Sequence, residues 1–206
     1  MQDILIATTN QNKVGRIKRL LDLTKINVLS LKDLNYQIDP PKETGQDGLE
    51  NALLKANYYY HNLKSPIPVL SQDENIFLAE VSPDENPGKD IKLPVINTYG
   101  EFNDENAKKY YTNLVRKYNK KFLNLEINYS YALCWQPFLQ GSTSILSARL
   151  FSQPNTTNTP GYFLADLMKL KSGNTWKYFS DLTEQELIYQ DRFAQKILND
   201  LIKKIL

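Results

Sequence analysis

A chain of 206 residues is long enough for one well-buried domain, with room for two lobes, and short for two independent domains of usual size. Its 41% hydrophobic and 23% charged residues match a globular composition, and a net charge of +2 leaves no electrostatic footprint for nucleic acid.

The first strand is expected over residues 4–7, where Ile4, Leu5, Ile6 and Ala7 form a short apolar run. A helix follows over about 12–23, with Val14, Ile17, Leu20 and Leu21 at helical spacing. A short strand is expected at 27–29, and Pro40 and Pro41 keep the stretch from 36 to 48 irregular. A second helix is expected over about 47–62. A strand at 69–71 then reads as paired through a turn with another at 76–81, which puts Asp73 and Glu74 in that turn. Residues 82–99 read as a long loop holding Pro83, Pro87, Gly88 and Pro94. A third helix at 104–117 precedes two alternating β segments, 122–135 and 144–151, and a polar loop at 152–161. The last helix is expected over about 187–206, burying Ile188, Phe193, Ile197, Leu201 and Ile205. Early β/α alternation followed by a β-rich middle predicts an α/β fold, a mixed sheet covered by helices.

The single cysteine, Cys134, cannot form an internal disulfide, which points to a reducing compartment. No apolar run reaches the roughly 18–20 residues that cross a bilayer, so no membrane contact is expected. The residues MQD lead straight into the first strand and leave no room for a signal peptide. The expected location is therefore cytoplasmic.

Three stretches carry chemistry. A strand running into a helix N-terminus offers free N–H groups and the positive end of the helix dipole, and Thr8, Asn10 and Lys13 add hydroxyl, amide and ammonium donors there. The same residues equally fit a plain cap at Asn10 or Asn12 with a solvated Lys13. In ETGQDGLENALLKAN, Asp47 and Glu50 fit a capping box. Asn51 and Lys55 share a helix face, and Glu43 sits on a glycine-containing loop within reach of a cation. In LSQDENIFLAE, Asp73 could hold a metal or deprotonate a water, or simply be a turn acid.

Together these stretches resemble the inosine triphosphate pyrophosphatase family. Its opening T/S-x-N-x-x-K is matched by Thr8, Asn10 and Lys13, and its E-T-G and E-N-A-x-x-K-A by Glu43-Thr44-Gly45 and Glu50-Asn51-Ala52-Leu53-Leu54-Lys55-Ala56. Its A-D-D-S-G-L corresponds to Ser71-Gln72-Asp73-Glu74-Asn75-Ile76, and its P-G loop to Pro87-Gly88. The resemblance implies one domain over residues 1–206, built on a central elongated mixed β-sheet flanked by helices, with two lobes and a cleft between them. It implies hydrolysis of non-standard purine nucleoside triphosphates, such as ITP, XTP or dITP, to monophosphate and pyrophosphate. Thr8, Asn10, Lys13 and Lys55 would hold the triphosphate, Glu43 and Asp73 would hold Mg²⁺, and Asp73 would activate water, with Lys13 and Lys55 assisting the chemistry. Tyr162 and Arg192 would lie on the substrate, and a homodimer is implied as well.

The departures from the family pattern cluster. Gln72 replaces the first of two aspartates, and the purine-recognition signature survives only as Gly161-Tyr162 within Thr159-Pro160-Gly161-Tyr162-Phe163-Leu164-Ala165-Asp166. The family's S-H-R is Gln190-Asp191-Arg192, keeping the arginine alone. Altered base selectivity is the expectation, with Asp166 and Asp191 both open as new polar edges; His61 reads as a surface residue. The alternative left by Gln72 is a catalytically degenerate nucleotide-binding or interaction protein of the same fold.

Overall fold

The computed structural model describes residues 1–64, 66–157 and 159–206. Asn158, within the expected polar loop, lies outside the described residues. In chain order the elements are β1 (Gln2–Ile6), α1 (Gln11–Leu20), β2 (Ile26–Ser30), α2 (Gly48–Asn62), β3 (Val69–Leu78), α3 (Leu93–Tyr99) and α4 (Asp104–Lys117). They continue with β4 (Phe122–Trp135), β5 (Phe138–Phe151), β6 (Met168–Ser172), β7 (Thr175–Tyr178), α5 (Glu184–Gln190) and α6 (Arg192–Ile202). The strands hydrogen-bond in the order β2-β1-β3-β4-β5-β6-β7. β1 is parallel to both β2 and β3, whereas β6 is antiparallel to β5 and β7, so the sheet is mixed.

The chain divides into two compact units that interleave in sequence. The first holds residues 1–74, 128–144 and 191–206; the second holds 75–127 and 145–190. In the first unit, β1 lies between parallel neighbours, and Ile4, Leu5 and Ile6 are all fully buried. A strand covered on both faces reads as an unbroken apolar run, which is why its signal was plain. α1 buries Val14, Ile17 and Leu20, one side chain per turn. α2 turns Ala52 and Ala56 against Ala132 and Cys134 of β4, small residues that let helix and sheet approach closely. Ser71 uses that proximity, its hydroxyl donating to the Ala52 carbonyl at 2.5 Å. In the second unit, Tyr111, Leu114 and Val115 of α4 are buried, as are Leu123, Leu125 and Ile127 of β4 and Leu150, Met168 and Leu170.

Several elements differ from the pattern expected of the sequence. β3 is one continuous strand over Val69–Leu78, so Asp73 and Glu74 lie inside it rather than in a turn. The loop expected at 82–99 contains the helix α3, opened by Pro94 in its first turn and closed at Gly100 with φ +81. β5 begins at Phe138, several residues ahead of the expected position. The last helix is broken at Asp191 (φ −84, ψ 4) into α5 and α6, which resets the helical phase. The buried set is therefore Ala194, Leu198, Leu201 and Ile202, while Ile188 and Phe193 are exposed.

Candidate functional site

The first candidate residues sit where β1 ends. Ala7 N–H donates to Leu70 O at 2.8 Å, tying the strand exit to β3. Thr8 Oγ1 accepts from Asn10 N–H at 3.1 Å, which leaves its own hydroxyl hydrogen to donate. Asn10 is the N-cap of α1, its Oδ1 accepting from Asn12 N–H at 2.9 Å. No acid occupies the first turn of α1, so the positive end of that helix is not neutralised locally.

α2 supplies the second group. Asp47 Oδ1 accepts from Glu50 N–H at 2.9 Å, half of a capping box. The other half is displaced by one residue, since the Glu50 carboxylate takes Gln46 N–H instead of that of Asp47. Asn51, expected to share a helix face with Lys55, is buried, and its Oδ1 accepts from Gly45 N–H at 2.8 Å. This bond folds the Glu-Thr-Gly segment back onto the start of α2. An ideal Cβ at Gly45 would lie 2.6 Å from that same oxygen, so glycine is required here by close approach.

β3 brings the groups together. Adjacent strand residues point to opposite faces. Asp73 faces α2, where Lys55 Nζ donates to its Oδ2 at 2.8 Å and to Glu43 Oε1 at 3.2 Å. Asp73 Oδ1 meanwhile accepts from Glu74 N–H at 2.8 Å, so both carboxylate oxygens are held. Glu74 faces α1, and Lys13 Nζ stands 3.7 Å from its Oε1. The β1 exit and the Asp73 acid, 65 residues apart in the chain, are thus joined through neighbouring residues of one strand. Glu43, Lys55 and Asp73 form one cluster; Thr8 and Asn10 are joined to each other at the β1 exit, and Lys13 is paired with Glu74.

The cluster suits a hard cation. Two carboxylates already converge on one positive charge, and oxygen donors of this kind fit Mg²⁺, which keeps several waters and takes the rest of its ligands from phosphate. Among the described residues no group of three or more His, Cys, Asp or Glu could enclose a metal. The protein would therefore supply only part of a coordination shell.

The remaining sequence candidates are placed as follows. Tyr162 belongs to the second unit, half-buried, with its ring edge-on to Phe179 at 5.3 Å. Gly161 before it has φ +76, and its N–H donates to Asp104 Oδ2 at 2.6 Å. Arg192 belongs to the first unit and is exposed, its guanidinium 4.5 Å from the Phe193 ring. The two acids open as polar edges are both engaged internally. Asp166 is fully buried, bound by Lys108 at 2.5 Å and by the Thr159 hydroxyl at 2.9 Å. Asp191 is buried against α1, taking Arg16 at 2.5 and 3.3 Å and Arg19 at 3.1 Å. His61 is exposed, with its Nε2 3.2 Å from Gln136 Nε2.

Arg16 was absent from every motif, yet it is the most heavily contacted cation of α1. Besides Asp191, it donates to Tyr131 Oη at 2.7 Å and lies 3.6 Å from the Tyr129 ring centre. Burial pushes the Tyr131 phenol above its ordinary pKa, which keeps it neutral and able to accept this bond. The available signal was position alone: Arg16 is one turn beyond Lys13 on the same helix.

The class of fold is thus a mixed seven-stranded sheet with flanking helices, with Glu43, Lys55 and Asp73 meeting where α2 faces β3. The chain belongs to the Ham1 family, whose model matches residues 4–162. It is 35% identical over 77 residues to a dITP/XTP pyrophosphatase of Borrelia garinii subsp. bavariensis, covering 37% of this chain and 32% of that protein. It is 39% identical over 80 residues to a dITP/XTP pyrophosphatase of Aquifex aeolicus, covering 39% of this chain and 37% of that protein. The matched segments thus span about a third of the length of these curated relatives. The fold is shared with a HAM1 protein from Coxiella burnetii at TM-score 0.74 and 17% identity, over 100% of this chain and 98% of the other.

Proposed function

We propose that this protein is a divalent-cation-dependent nucleoside triphosphate pyrophosphatase, releasing nucleoside monophosphate and pyrophosphate. The observation that carries the reading is Lys55, held between Glu43 and Asp73, with Lys13 paired to Glu74, the next residue of the same strand. That arrangement matches what phosphoryl transfer requires, namely positioning and charge neutralisation around an in-line attack. The relatives named dITP/XTP pyrophosphatase support the same reaction class.

In this reading Thr8, Asn10, Lys13 and Lys55 hold the triphosphate, and Glu43 and Asp73 would hold Mg²⁺. The cation, when bound, supplies charge neutralisation for the phosphate oxygens and the departing pyrophosphate. Lys55 transfers from the two carboxylates to the incoming phosphates. That transfer frees Asp73 Oδ2, the oxygen it holds at rest, to take the proton of an attacking water. Arg192, on the first unit, contacts the nucleoside in this reading. Base selectivity departs from the relatives because Asp166 and Asp191 are committed to internal partners. A cytoplasmic homodimer completes the proposal by family resemblance.

The test is pyrophosphate release from ITP, XTP, dUTP and the ordinary triphosphates with Mg²⁺, with Asp73→Asn as the control. Wild type splits at least one of them, and the variant loses nearly all activity while staying folded. Release from none of them at high enzyme concentration would leave a nucleotide-binding protein without turnover.

A further inference from the structure

Residues 71–74 of β3 alternate across the sheet. Ser71 and Asp73 meet α2 through Ala52 O and Lys55 Nζ, and Glu74 meets α1 through Lys13. By the same alternation Gln72 shares the face of Glu74. Gln72 is 2% exposed, and its Oε1 is buried without a hydrogen-bond partner among the described residues. A buried amide oxygen left in this state is costly, and such atoms in a folded protein call for a ligand, ion or water as partner. Two residues along the strand, Glu74 Oε1 stands 3.7 Å from Lys13 Nζ, beyond hydrogen-bond length, so the ammonium does not saturate that carboxylate.

We propose that Glu74 and the side-chain oxygen of Gln72 are donors to a divalent cation on the α1 face of β3. This position is separate from the Glu43–Asp73 pair, which faces α2. One carboxylate and one neutral amide oxygen select a hard ion such as Mg²⁺ or Mn²⁺, which completes its shell with water or phosphate. Lys13 competes for Glu74, and a polyanion that draws Lys13 away hands the carboxylate to the cation. This last step rests on the triphosphate reading, whereas binding of the cation by itself does not.

The experiment uses the intact chain and Mn²⁺ alone, with free Mn²⁺ counted by electron paramagnetic resonance. Asp73→Asn removes the α2-face pair and leaves Mn²⁺ binding that is abolished by adding Glu74→Gln. Lys13→Met tightens that remaining site at least threefold. Gln72→Leu weakens it at least threefold while raising the melting temperature, because the orphaned oxygen is gone; a purely structural role would change stability alone. Unchanged Mn²⁺ binding on adding Glu74→Gln to Asp73→Asn, complete loss in Asp73→Asn alone, or an unaltered affinity in Gln72→Leu would each overturn the assignment. Failure of the pyrophosphatase reading would show separately, as no pyrophosphate release from a protein that still binds Mn²⁺.

Discussion

Gly45→Ala probes why the loop before α2 reads Glu-Thr-Gly. A Cβ there would meet Asn51 Oδ1 at 2.6 Å, Asn51 N at 2.7 Å and Glu50 Cβ at 2.8 Å. Two of these atoms are fixed by the helix backbone, so the clash cannot be relieved by rotating a flexible side-chain tip. Overpacking of this kind costs about 1–3 kcal/mol. Losing the buried Gly45 N–H bond to Asn51 adds about 1 kcal/mol. Alanine returns about 0.4–1 kcal/mol by restricting the unfolded chain. The balance is a loss of about 2 kcal/mol, which for a chain of this size lowers the melting temperature by about 4–8 °C. Thermal unfolding followed by far-ultraviolet circular dichroism measures it, with Gly15→Ala as the matched control. Gly15 lies within α1 with nothing within 4 Å of its ideal Cβ. Removing a helix-interior glycine there gains about 0.5–1 kcal/mol and raises the melting temperature by about 1–4 °C. A Gly45→Ala protein that melts at or above wild type, while Gly15→Ala rises as expected, would refute the close-approach account.

Asp191→Asn leaves Arg16 and Arg19 without their carboxylate. Breaking a buried pair costs about 3–5 kcal/mol, reduced to about 2–4 kcal/mol here because the arginine side chains are 15% and 27% exposed. Urea unfolding should show that loss, with Arg16→Lys only partly retaining the contact because it cannot bind in two-pronged fashion; a loss under 1 kcal/mol refutes it. Glu186 is held at about 2, below its ordinary 4.5, by bonds from Lys177 first, then Ser172 and Thr183. A depressed carboxylate stabilises above its unfolded pKa and loses that effect as pH falls through the folded one. The melting-temperature gap between wild type and Glu186→Gln should therefore be full above pH 4.5 and close towards pH 2. A gap that stays constant over that window contradicts the assignment.

The legible parts of the fold were those with a local signature. β1 was plain because burial on both faces gives an unbroken apolar run, and α1 because Val14, Ile17 and Leu20 fall one turn apart. β3 was misread because Asp73 and Glu74 look like turn residues, whereas each acid is held in the strand by a lysine from a helix on its own side. The phase of the last helix failed for a related reason: the break at Asp191 is anchored by Arg16 and Arg19, distant in sequence. In the site, the motif spacing pointed to Glu43, Lys55 and Asp73, which do meet. It gave no hint of Arg16 or of the position of Glu74, because both depend on pairings that only the folded chain creates.

The same pairings bear on the proposed function, in which base recognition changes while the phosphate-holding residues stay. Asp166 and Asp191 occupy positions where the sequence alone leaves room for ligand contacts, yet each is buried and satisfied by cations of its own unit. Asp166 anchors Lys108 and Thr159, and Asp191 anchors α1 to the entry of α6. Around β3, three carboxylates (Glu43, Asp73, Glu74) face two ammonium groups (Lys13, Lys55), leaving an excess of one negative charge. A bare polyphosphate would meet repulsion there, and a cation would meet attraction. On the proposed function, a polyphosphate arriving with its cation would satisfy both sets of charges, with Lys13 and Lys55 offered to phosphate and the carboxylates to the cation. In that reading the resting ion pairs would keep both lysines ordered for the polyanion, which lowers the entropy cost of binding.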